Sequence, residues 1–513
     1  MGLLLATTLI LGVALWLART RSRSRSLPPG PPADPFIGHL RAIPVQKTPD
    51  TFHEGRKTHG DVMCLEVLGR ETVVLGSVEA AQALRDSRSA NYSCRPNLPI
   101  FEIMGFTADL AFMQYGNQFL KHRQMFQQTF GVKESLTFNN AIAEEARLLV
   151  KNLTHAAHGT HPHFFHRYAV SNIMRAAFGH QVRSDDDFFL EIGNGVSDVS
   201  RKCGPTGNTP VDFFPWLRYL PAWFPGTHYA TVARSQFQTV RRLYDYPLKM
   251  VQDRMKTQNY EKCFASEKLQ ELDDDPDAED LEDFKGAAAT VFGAGADTTY
   301  ATLMLFCLAM VLHPECQKRA YEEIISVVGK KALPDLSDRE SLPTVECIVQ
   351  GVLRWNVIAP FSVPHRAINE DVYNGTFIPK GAVVIPNVRG MSMDEDVYSN
   401  PRVFDPARFL PKPDGKGEPL SQPLGDSVES SLLLRVCPGR HFASLALCHA
   451  IACTLATLEL VPKKDEIGNP KLPEAELSEG LVCEPLPFEF DVHPRSEAAK
   501  TLIEQIESYR PDL

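Results

Sequence analysis

Apolar residues form one uninterrupted block at the start of the chain. The first eighteen residues, MGLLLATTLILGVALWLA, contain no charged side chain. At about 1.5 Å per residue, a helix of this length spans roughly 27 Å, close to the thickness of the hydrocarbon core of a membrane. Residues 1–18 are therefore predicted to form a single N-terminal transmembrane helix, with a cleaved signal peptide as the alternative.

A basic and then proline-rich segment follows this block at residues 19–32. Four arginines alternate with small hydroxyl residues in RTRSRSRS, and LPPGPP comes next. Positively charged flanks stay in the cytosol, and proline-rich segments form stiff spacers. We predict a hinge at 19–32 and one large domain at 33–513, on the cytosolic side of the membrane.

The pattern in the remaining chain changes from strand-like to helix-like and back. DVMCLEVLGRETVVLGS, residues 61–77, has β-branched runs on both sides of Gly69 and predicts a hairpin. Residues 78–333 are mostly helical in pattern, interrupted by an aromatic, proline-rich stretch at 213–226. Short strands are predicted further on, as at residues 376–388. The fold is thus predicted to be mainly α with a minor β region.

The stretch FFPWLRYLPAWFPG at residues 213–226 has two interpretations. A loop dense in proline and aromatic residues is usually a packed connector. Exposed Trp and Phe also favour the membrane interface, so the same loop can be a lipid-facing mouth. Both interpretations stay open at the level of the sequence.

Composition excludes some classes of function. The net charge of -10 leaves no domain-wide basic face to neutralise phosphates, so a nucleic-acid binder is not expected. The eleven cysteines are scattered, odd in number and without a CxxC pair. This usage indicates free thiols in a reducing compartment and argues against a disulfide framework or a zinc site.

A long apolar pattern at residues 283–315 has polar residues at its centre. A second transmembrane helix would place Asp297 in the middle of the bilayer, which is costly, so a central helix of a large domain is the better interpretation. Small residues in GAGADTT let a flat group approach the backbone closely. Thr298 can bond back to the carbonyl four residues earlier, which leaves room for an ordered water.

One cysteine has an unusual setting in the stretch RVCPGRHFA. Pro438 and Gly439 follow Cys437 directly, and a helix-like apolar pattern begins near Arg440. Backbone N–H groups at the start of a helix stabilise a thiolate. Cys437 is therefore either a small buried hydrophobe or the ligand of a bound group.

These segments occur in a known order, and together they resemble the cytochrome P450 family of haem-thiolate monooxygenases. The order is anchor, proline hinge, AGADTT helix, VLRW, FDPARF and RVCPGRHFA, and it covers nearly the whole chain. The resemblance is closest to microsomal fungal members, including the branch of O-methylsterigmatocystin oxidoreductases. It implies the cytochrome P450 fold, a haem-thiolate catalytic domain at 33–513, and an endoplasmic reticulum membrane location.

The resemblance also implies roles for individual residues. Cys437 is the axial metal ligand of haem b, where a thiolate donates electron density that favours cleavage of an O–O bond. Asp297 and Thr298 handle protons through a water chain, since adjacent helix positions point to different sides. The expected haem contacts, besides Cys437, are Arg435, His122, Arg123, His365, Ala294 and Gly295.

The implied partners follow from this chemistry. They are O2, an NADPH-cytochrome reductase, membrane lipid and an apolar small-molecule substrate from secondary metabolism or a xenobiotic. The expected reaction inserts one oxygen atom of O2 into that substrate.

Two departures from the family pattern stand out. Relatives have an E-x-x-R motif, but Gly351 occupies the Glu position before Arg354, and Glu346 is too far away to pair along one helical turn. Backbone carbonyls are the expected alternative acceptors for Arg354. The second departure covers residues 425–434, where SSLLL replaces a phenylalanine and two glycines of the family pattern.

Two explanations of the second departure stay open. One is true divergence, and the other is a mispredicted exon junction or a local frame error at 425–434. The alternative function is accordingly a catalytically impaired haem-protein remnant or the product of a mispredicted gene model.

Overall fold

A computed structural model describes residues 26–410 and 435–506, apart from residues 107, 158, 203–206, 208 and 273–277. The predicted transmembrane helix at 1–18, the basic part of the hinge and the divergent stretch at 425–434 lie outside the described residues. The chain divides into two compact units made of discontinuous segments. The first comprises the described residues of Met1–Pro96, Phe361–Met391 and Val428–Arg435, and the second comprises those of Asn97–Pro360, Ser392–Ser427 and Val436–Leu513.

The first unit contains the hairpin that the sequence predicts at residues 61–77. Val67 pairs with Arg70 across a tight turn in which Leu68 and Gly69 both have positive φ, of 49° and 83°. The hairpin belongs to a sheet of strand order β1-β2-β6-β3, in which β2 and β6 are parallel. The strands are β1 Val62–Val67, β2 Arg70–Leu75, β3 His365–Arg366, β4 Asp371–Tyr373, β5 Thr376–Ile378 and β6 Val383–Pro386. The predicted β region around residues 376–388 is thereby confirmed.

Four short helices accompany these strands. They are α1 Thr48–His59, α2 Val78–Arg85, α3 Ser89–Tyr92 and, at the C-terminal limit of the segment, α16 Val388–Ser392. Helix α2 begins with a side-chain cap, because Ser77 accepts a hydrogen bond from the N–H of Ala80.

The second unit is mostly helical, as predicted. Its helices before the divergent stretch are α4 Pro99–Met104, α5 Asn117–Phe130, α6 Val132–Ser135, α7 Asn139–His155, α8 His161–Phe178, α9 Phe188–Lys202, α10 Pro210–Phe213, α11 His228–Lys256, α12 Phe264–Glu271, α13 Ala278–Leu312, α14 Pro314–Val327 and α15 Pro343–Trp355. After that stretch come α17 Arg440–Thr457, β7 Leu458–Pro462, β8 Phe490–Pro494 and α18 Glu497–Glu504. Strands β7 and β8 pair antiparallel.

Helix α13 is the central helix of the second unit. Its segment Glu279–Leu312 is long and apolar enough to cross a membrane, but 72% of the apolar window is buried inside the protein. Residues 303–311 are all buried, and they pack with side chains of α7, α8, α15 and α17 in one core. The apolar surface of α13 is therefore buried mostly against the rest of the protein. This agrees with the prediction that the segment containing Asp297 is a central helix of a large domain.

Gly295 lies where α13 packs tightly against Ile173 of α8. A Cβ atom at this position would lie 2.6 Å from Cδ1 of Ile173, whereas one at Gly293 would meet nothing within 4 Å. Gly295 is therefore required by helix packing, and Gly293 faces open space.

The two glycines provide a matched test of this packing. Gly295→Ala is expected to lower the free energy of unfolding by about 1–3 kcal/mol, because the added methyl overpacks the contact with Ile173. Gly293→Ala is expected to raise it by up to about 1 kcal/mol, since alanine favours the helix and nothing obstructs it. Urea unfolding of both variants measures the difference, and equal effects would contradict the packing role of Gly295.

Candidate functional site

Cys437 differs in exposure from the other described cysteines. Cys437 is exposed, whereas the other nine described free cysteines are buried. It lies just before α17, whose N-cap residue is Gly439 and whose first residue is Arg440. The backbone N–H groups of Gly439 and Arg440 are directed at the thiol. The setting predicted from RVCPGR is thus present, and burial as a small hydrophobe does not describe Cys437.

Opposing influences act on the Cys437 thiol. Desolvation raises its pKa above 9.0, while the N–H group of Gly439 and the positive charges of Arg123 and Arg440 act to lower it. A coordinated metal cation deprotonates a thiol that binds it. The site therefore suits a metal ligand better than a free nucleophile.

Arg123 is tied to the segment that carries Cys437. Its Nη1 donates a hydrogen bond to the backbone carbonyl of Val436, and burial lowers the pKa of the guanidinium. His122, its neighbour on α5, has no exposed surface and lies beside Asp283 of α13. The haem contact predicted for His122 stays a prediction.

Helix α13 contains four of the predicted site residues, which are Ala294, Gly295, Asp297 and Thr298. Thr298 Oγ1 donates to the carbonyl of Ala294 at 2.7 Å, which confirms the predicted bond to the residue four positions earlier. Ala294 is exposed, and Gly293 beside it has no neighbour within 4 Å of a Cβ position. The backbone of α13 is thus open to a flat ligand at Gly293 and Ala294. Gly295 faces Ile173 on the packed side, and its predicted haem contact stays a prediction.

Asp297 is held from another helix. Ser197 of α9 donates its hydroxyl hydrogen bond to the carboxylate, with Oγ 2.9 Å from Oδ1 and 3.0 Å from Oδ2. Thr298 bonds in a different direction, as expected for adjacent helix positions. The sequence gives no signal for Ser197, because only the packing of α9 on α13 brings it to Asp297.

A buried cationic cluster lies in the first unit around His365. His365 Nδ1 is 2.6 Å from the carbonyl of Tyr92, and Nε2 is 3.1 Å from Arg85 Nη2. Arg85 can only donate, so His365 accepts at Nε2 and carries its proton on Nδ1. Burial, and then the positive charges of Arg95, Arg85 and Arg435, hold the pKa of His365 well below 6.5. The imidazole is therefore neutral within a group of guanidinium ions.

Three arginines of this cluster are fixed by backbone carbonyls or by His365. Arg435 Nε donates to the carbonyl of Ser93 at 2.9 Å, and Arg95 Nη1 donates to the carbonyls of Val363 and Pro364. Burial lowers the pKa of Arg85 to about 10, and among the described residues its buried Nε has no hydrogen-bond partner. A carboxylate ligand would satisfy this charge. The sequence points to Arg435 and His365, but not to Arg85 and Arg95.

Arg354 has the backbone partners that the absence of an E-x-x-R glutamate requires. Its guanidinium donates to the carbonyls of Ser392, Pro401 and Val403 at 2.7–3.2 Å, and it is only 1% exposed. The prediction of carbonyl acceptors is confirmed. Gly351, in the glutamate position, faces the ring of Phe404, 3.1 Å from a Cβ position.

The nearest upstream acid takes no part in this arrangement. Glu346 accepts from Arg339 at 2.9 Å and from Gln350 at 3.2 Å. Glu346 therefore pairs with Arg339 and not with Arg354.

The chain is similar to known proteins over most of its length. A family model described as cytochrome P450 matches residues 28–492. The chain is 34% identical over 493 residues to cytochrome P450 monooxygenase 136 of Postia placenta, covering 95% of this chain and 92% of that protein. It is 33% identical to the cytochrome P450 monooxygenase ARMGADRAFT_974139 of Armillaria gallica, over 96% of this chain and 97% of that protein. Another similar protein is cytochrome P450 monooxygenase claR of Ampulloclitocybe clavipes, at 32% identity over 94% and 89%.

Proposed function

The chain belongs to the cytochrome P450 family, and on that premise we propose that it is a membrane-anchored haem-thiolate monooxygenase. Its enzyme class is that of the P450 monooxygenases, which are oxidoreductases. The reaction proposed inserts one atom of O2 into an apolar organic substrate, with electrons from NADPH through a cytochrome reductase. The observation that carries the proposal is the exposed Cys437 thiol at the start of α17, with the N–H groups of Gly439 and Arg440 directed at it.

The residues present fit a haem b group. Within the second unit, Cys437 supplies the thiolate and the open backbone at Gly293 and Ala294 admits a flat ring. Within the first unit, considered by itself, the cationic cluster around Arg435 has the chemistry to bind carboxylate groups. When bound, such a haem supplies an iron centre at which O2 is reduced and cleaved. Arg123 contributes by holding the carbonyl of Val436, next to the ligand.

Proton supply falls to Thr298 and Asp297. The Thr298 hydroxyl donates to the carbonyl of Ala294, so its oxygen lone pairs can accept a hydrogen bond from water. Asp297 is held by Ser197 and serves as the group that exchanges protons with that water. Both side chains act through water because they bond in different directions from adjacent positions.

The membrane assignment rests on two separate features. The uncharged residues 1–18 and the arginines after them suit an anchor in the endoplasmic reticulum with the catalytic domain in the cytosol. The loop at 213–226 presents exposed aromatic side chains, with Trp223 and Tyr219 80% and 81% exposed and Trp216 53% exposed. Aromatic residues of this kind favour the membrane interface, which supports the lipid-facing interpretation of the loop.

The substrate class follows from the accessible face of α13. Gly293 and Ala294 offer apolar surface close to the hydroxyl of Thr298. A binding surface with few polar groups favours ligands with little polar surface. We therefore propose an apolar substrate, from secondary metabolism or a xenobiotic.

A second candidate is a catalytically impaired haem-protein remnant, which Gly351 favours. Without a glutamate at position 351, Arg354 would be a buried charge with no partner unless other acceptors bind it. The three carbonyl acceptors of Arg354 weaken that argument. The divergent stretch 425–434 is the remaining basis for this candidate.

Thr298→Val tests the proposed reaction in a reconstituted system with NADPH, a cytochrome reductase and an oxidised apolar substrate. The variant is expected to consume NADPH but to oxidise at least about tenfold less substrate per NADPH, because proton delivery is lost. Thr302→Val is the matched control, since Thr302 makes the same bond, to the carbonyl of Thr298, one turn further along. Full coupling in Thr298→Val, or equal losses in both variants, would contradict the assignment.

A further inference from the structure

His122 is buried on α5 beside Asp283 of α13. Its side chain has no exposed surface, and neither ring nitrogen has a hydrogen-bond partner among the described residues. Buried polar atoms of this kind are rare and need an explanation. The charged group that faces the ring is Asp283, whose Oδ1 lies 3.7 Å from Nε2.

Asp283 contacts three residues on one face of α5. Its Oδ1 accepts a hydrogen bond from Gln118 Nε2, and its Oδ2 lies 3.6 Å from Nζ of Lys121. Gln118, Lys121 and His122 are one turn apart or adjacent, so they form a single face of the helix. The Asp283 side chain is only 9% exposed, which keeps these interactions out of the reach of solvent screening.

The next residue of α5 acts on the ligand segment. Arg123 follows His122 and donates to the carbonyl of Val436, the residue before Cys437. Asp283 thus contacts one face of α5. Arg123, the next residue of that helix, fixes the backbone beside Cys437. Burial lowers the pKa of His122, and the negative charge of Asp283 opposes that effect.

We propose that Asp283 is a positioning residue, which holds α5 through His122 and Gln118 so that Arg123 stays bonded to the backbone next to Cys437. The inference rests on the proposed function, because it concerns how firmly a Cys437-ligated haem is held. It places His122 in a buried carboxylate–imidazole pair. Asp283 touches neither substrate nor the reacting atoms.

The test compares Asp283→Asn with Asp280→Asn in the haem-loaded full chain. Asp280 lies one turn earlier on α13, is 47% exposed and pairs with Lys121, so it is a matched surface control. Asp283→Asn is expected to release haem to excess apomyoglobin about tenfold faster, and to convert part of the carbon monoxide complex from the red-shifted to the histidine-like Soret band. Asp280→Asn is expected to stay within about twofold of the unmodified protein.

Coupling to Arg123 separates positioning from a general loss of stability. In an Arg123→Gln background, Asp283→Asn is expected to add less than about twofold to haem release, because the two residues act in one path. Additive effects would overturn the proposal, as would release from Asp283→Asn no faster than from Asp280→Asn.

Another variant covers the case in which Asp283→Asn does not fold. His122→Gln keeps the contacts of Asp283 with Gln118 and Lys121 and is expected to show the same faster release; an unchanged rate in that variant would overturn the proposal. An unmodified chain that takes up no haem would refute the proposed function and this inference with it. Normal haem uptake with insensitive variants would refute the inference alone.

Discussion

The Cys437→Ser variant is expected to lose completely the red-shifted Soret band that the reduced carbon monoxide complex of a thiolate-ligated haem gives. A serine hydroxyl is not deprotonated under these conditions and does not donate electron density as a thiolate does. The N–H groups of Gly439 and Arg440 then lack the anion that they stabilise. The spectrum of the purified, reduced protein under carbon monoxide measures the effect.

Cys448→Ala is the matched control for this substitution. Cys448 lies in α17, close to Cys437 in the chain, but it is buried, and burial raises the pKa of its thiol to about 11. The control is expected to keep the red-shifted band. The assignment of Cys437 is contradicted if its variant keeps the band or if both variants lose it.

Arg354→Met is expected to lower the free energy of unfolding by about 3–5 kcal/mol, because several buried backbone carbonyls are left without a donor. Methionine fills much of the same volume, so the main loss is the guanidinium. Three backbone carbonyls, of Ser392, Pro401 and Val403, then lose a donor in the interior. The guanidinium also lies over the ring of Tyr398, 5.3 Å from its centroid, and that contact is lost as well.

Arg402→Ala provides the comparison for Arg354. Arg402 belongs to the same segment as the acceptor carbonyls but is exposed, so its loss is expected to change the unfolding free energy by less than about 1 kcal/mol. Urea unfolding of the two variants under the same conditions gives the difference. A cost for Arg354→Met no larger than that for Arg402→Ala would mean that the carbonyl contacts do not secure the arginine.

Local chain properties were predictable from the sequence. The hairpin around Gly69, the helix that carries Asp297 and the helix start after Cys437 all depend on periodicity, turn chemistry and caps within a few residues. The bond from Thr298 to Ala294 has the same local origin. The order of the motifs led to the family resemblance, and the comparisons confirm the family.

Partners distant in sequence were not predictable. Ser197 reaches Asp297 from a separate helix one hundred residues earlier, and Arg85 is 280 residues from His365. Their positions depend on how elements pack, and a single sequence contains no pattern for that. The same reason applies to Gly295, whose contact with Ile173 has no local signature.

Of the two departures from the family pattern, the one at Gly351 lies within the described residues and the one at 425–434 does not. Arg354 is accommodated by carbonyls beside the missing glutamate, so that departure is compatible with a packed core. The stretch 425–434 lies outside the described residues. Sequencing the transcript separates divergence from a gene-model error: reads that encode GDSVESSLLL would rule out the error.

The measurement that bears most directly on the central claim is the carbon monoxide difference spectrum of the unmodified full-length chain, reduced after expression with a haem supply. The claim is that Cys437 holds a haem through its thiolate despite the divergent stretch before it. The red-shifted Soret band of a thiolate-ligated haem is the expected result. A histidine-like band, or no bound haem, would contradict it.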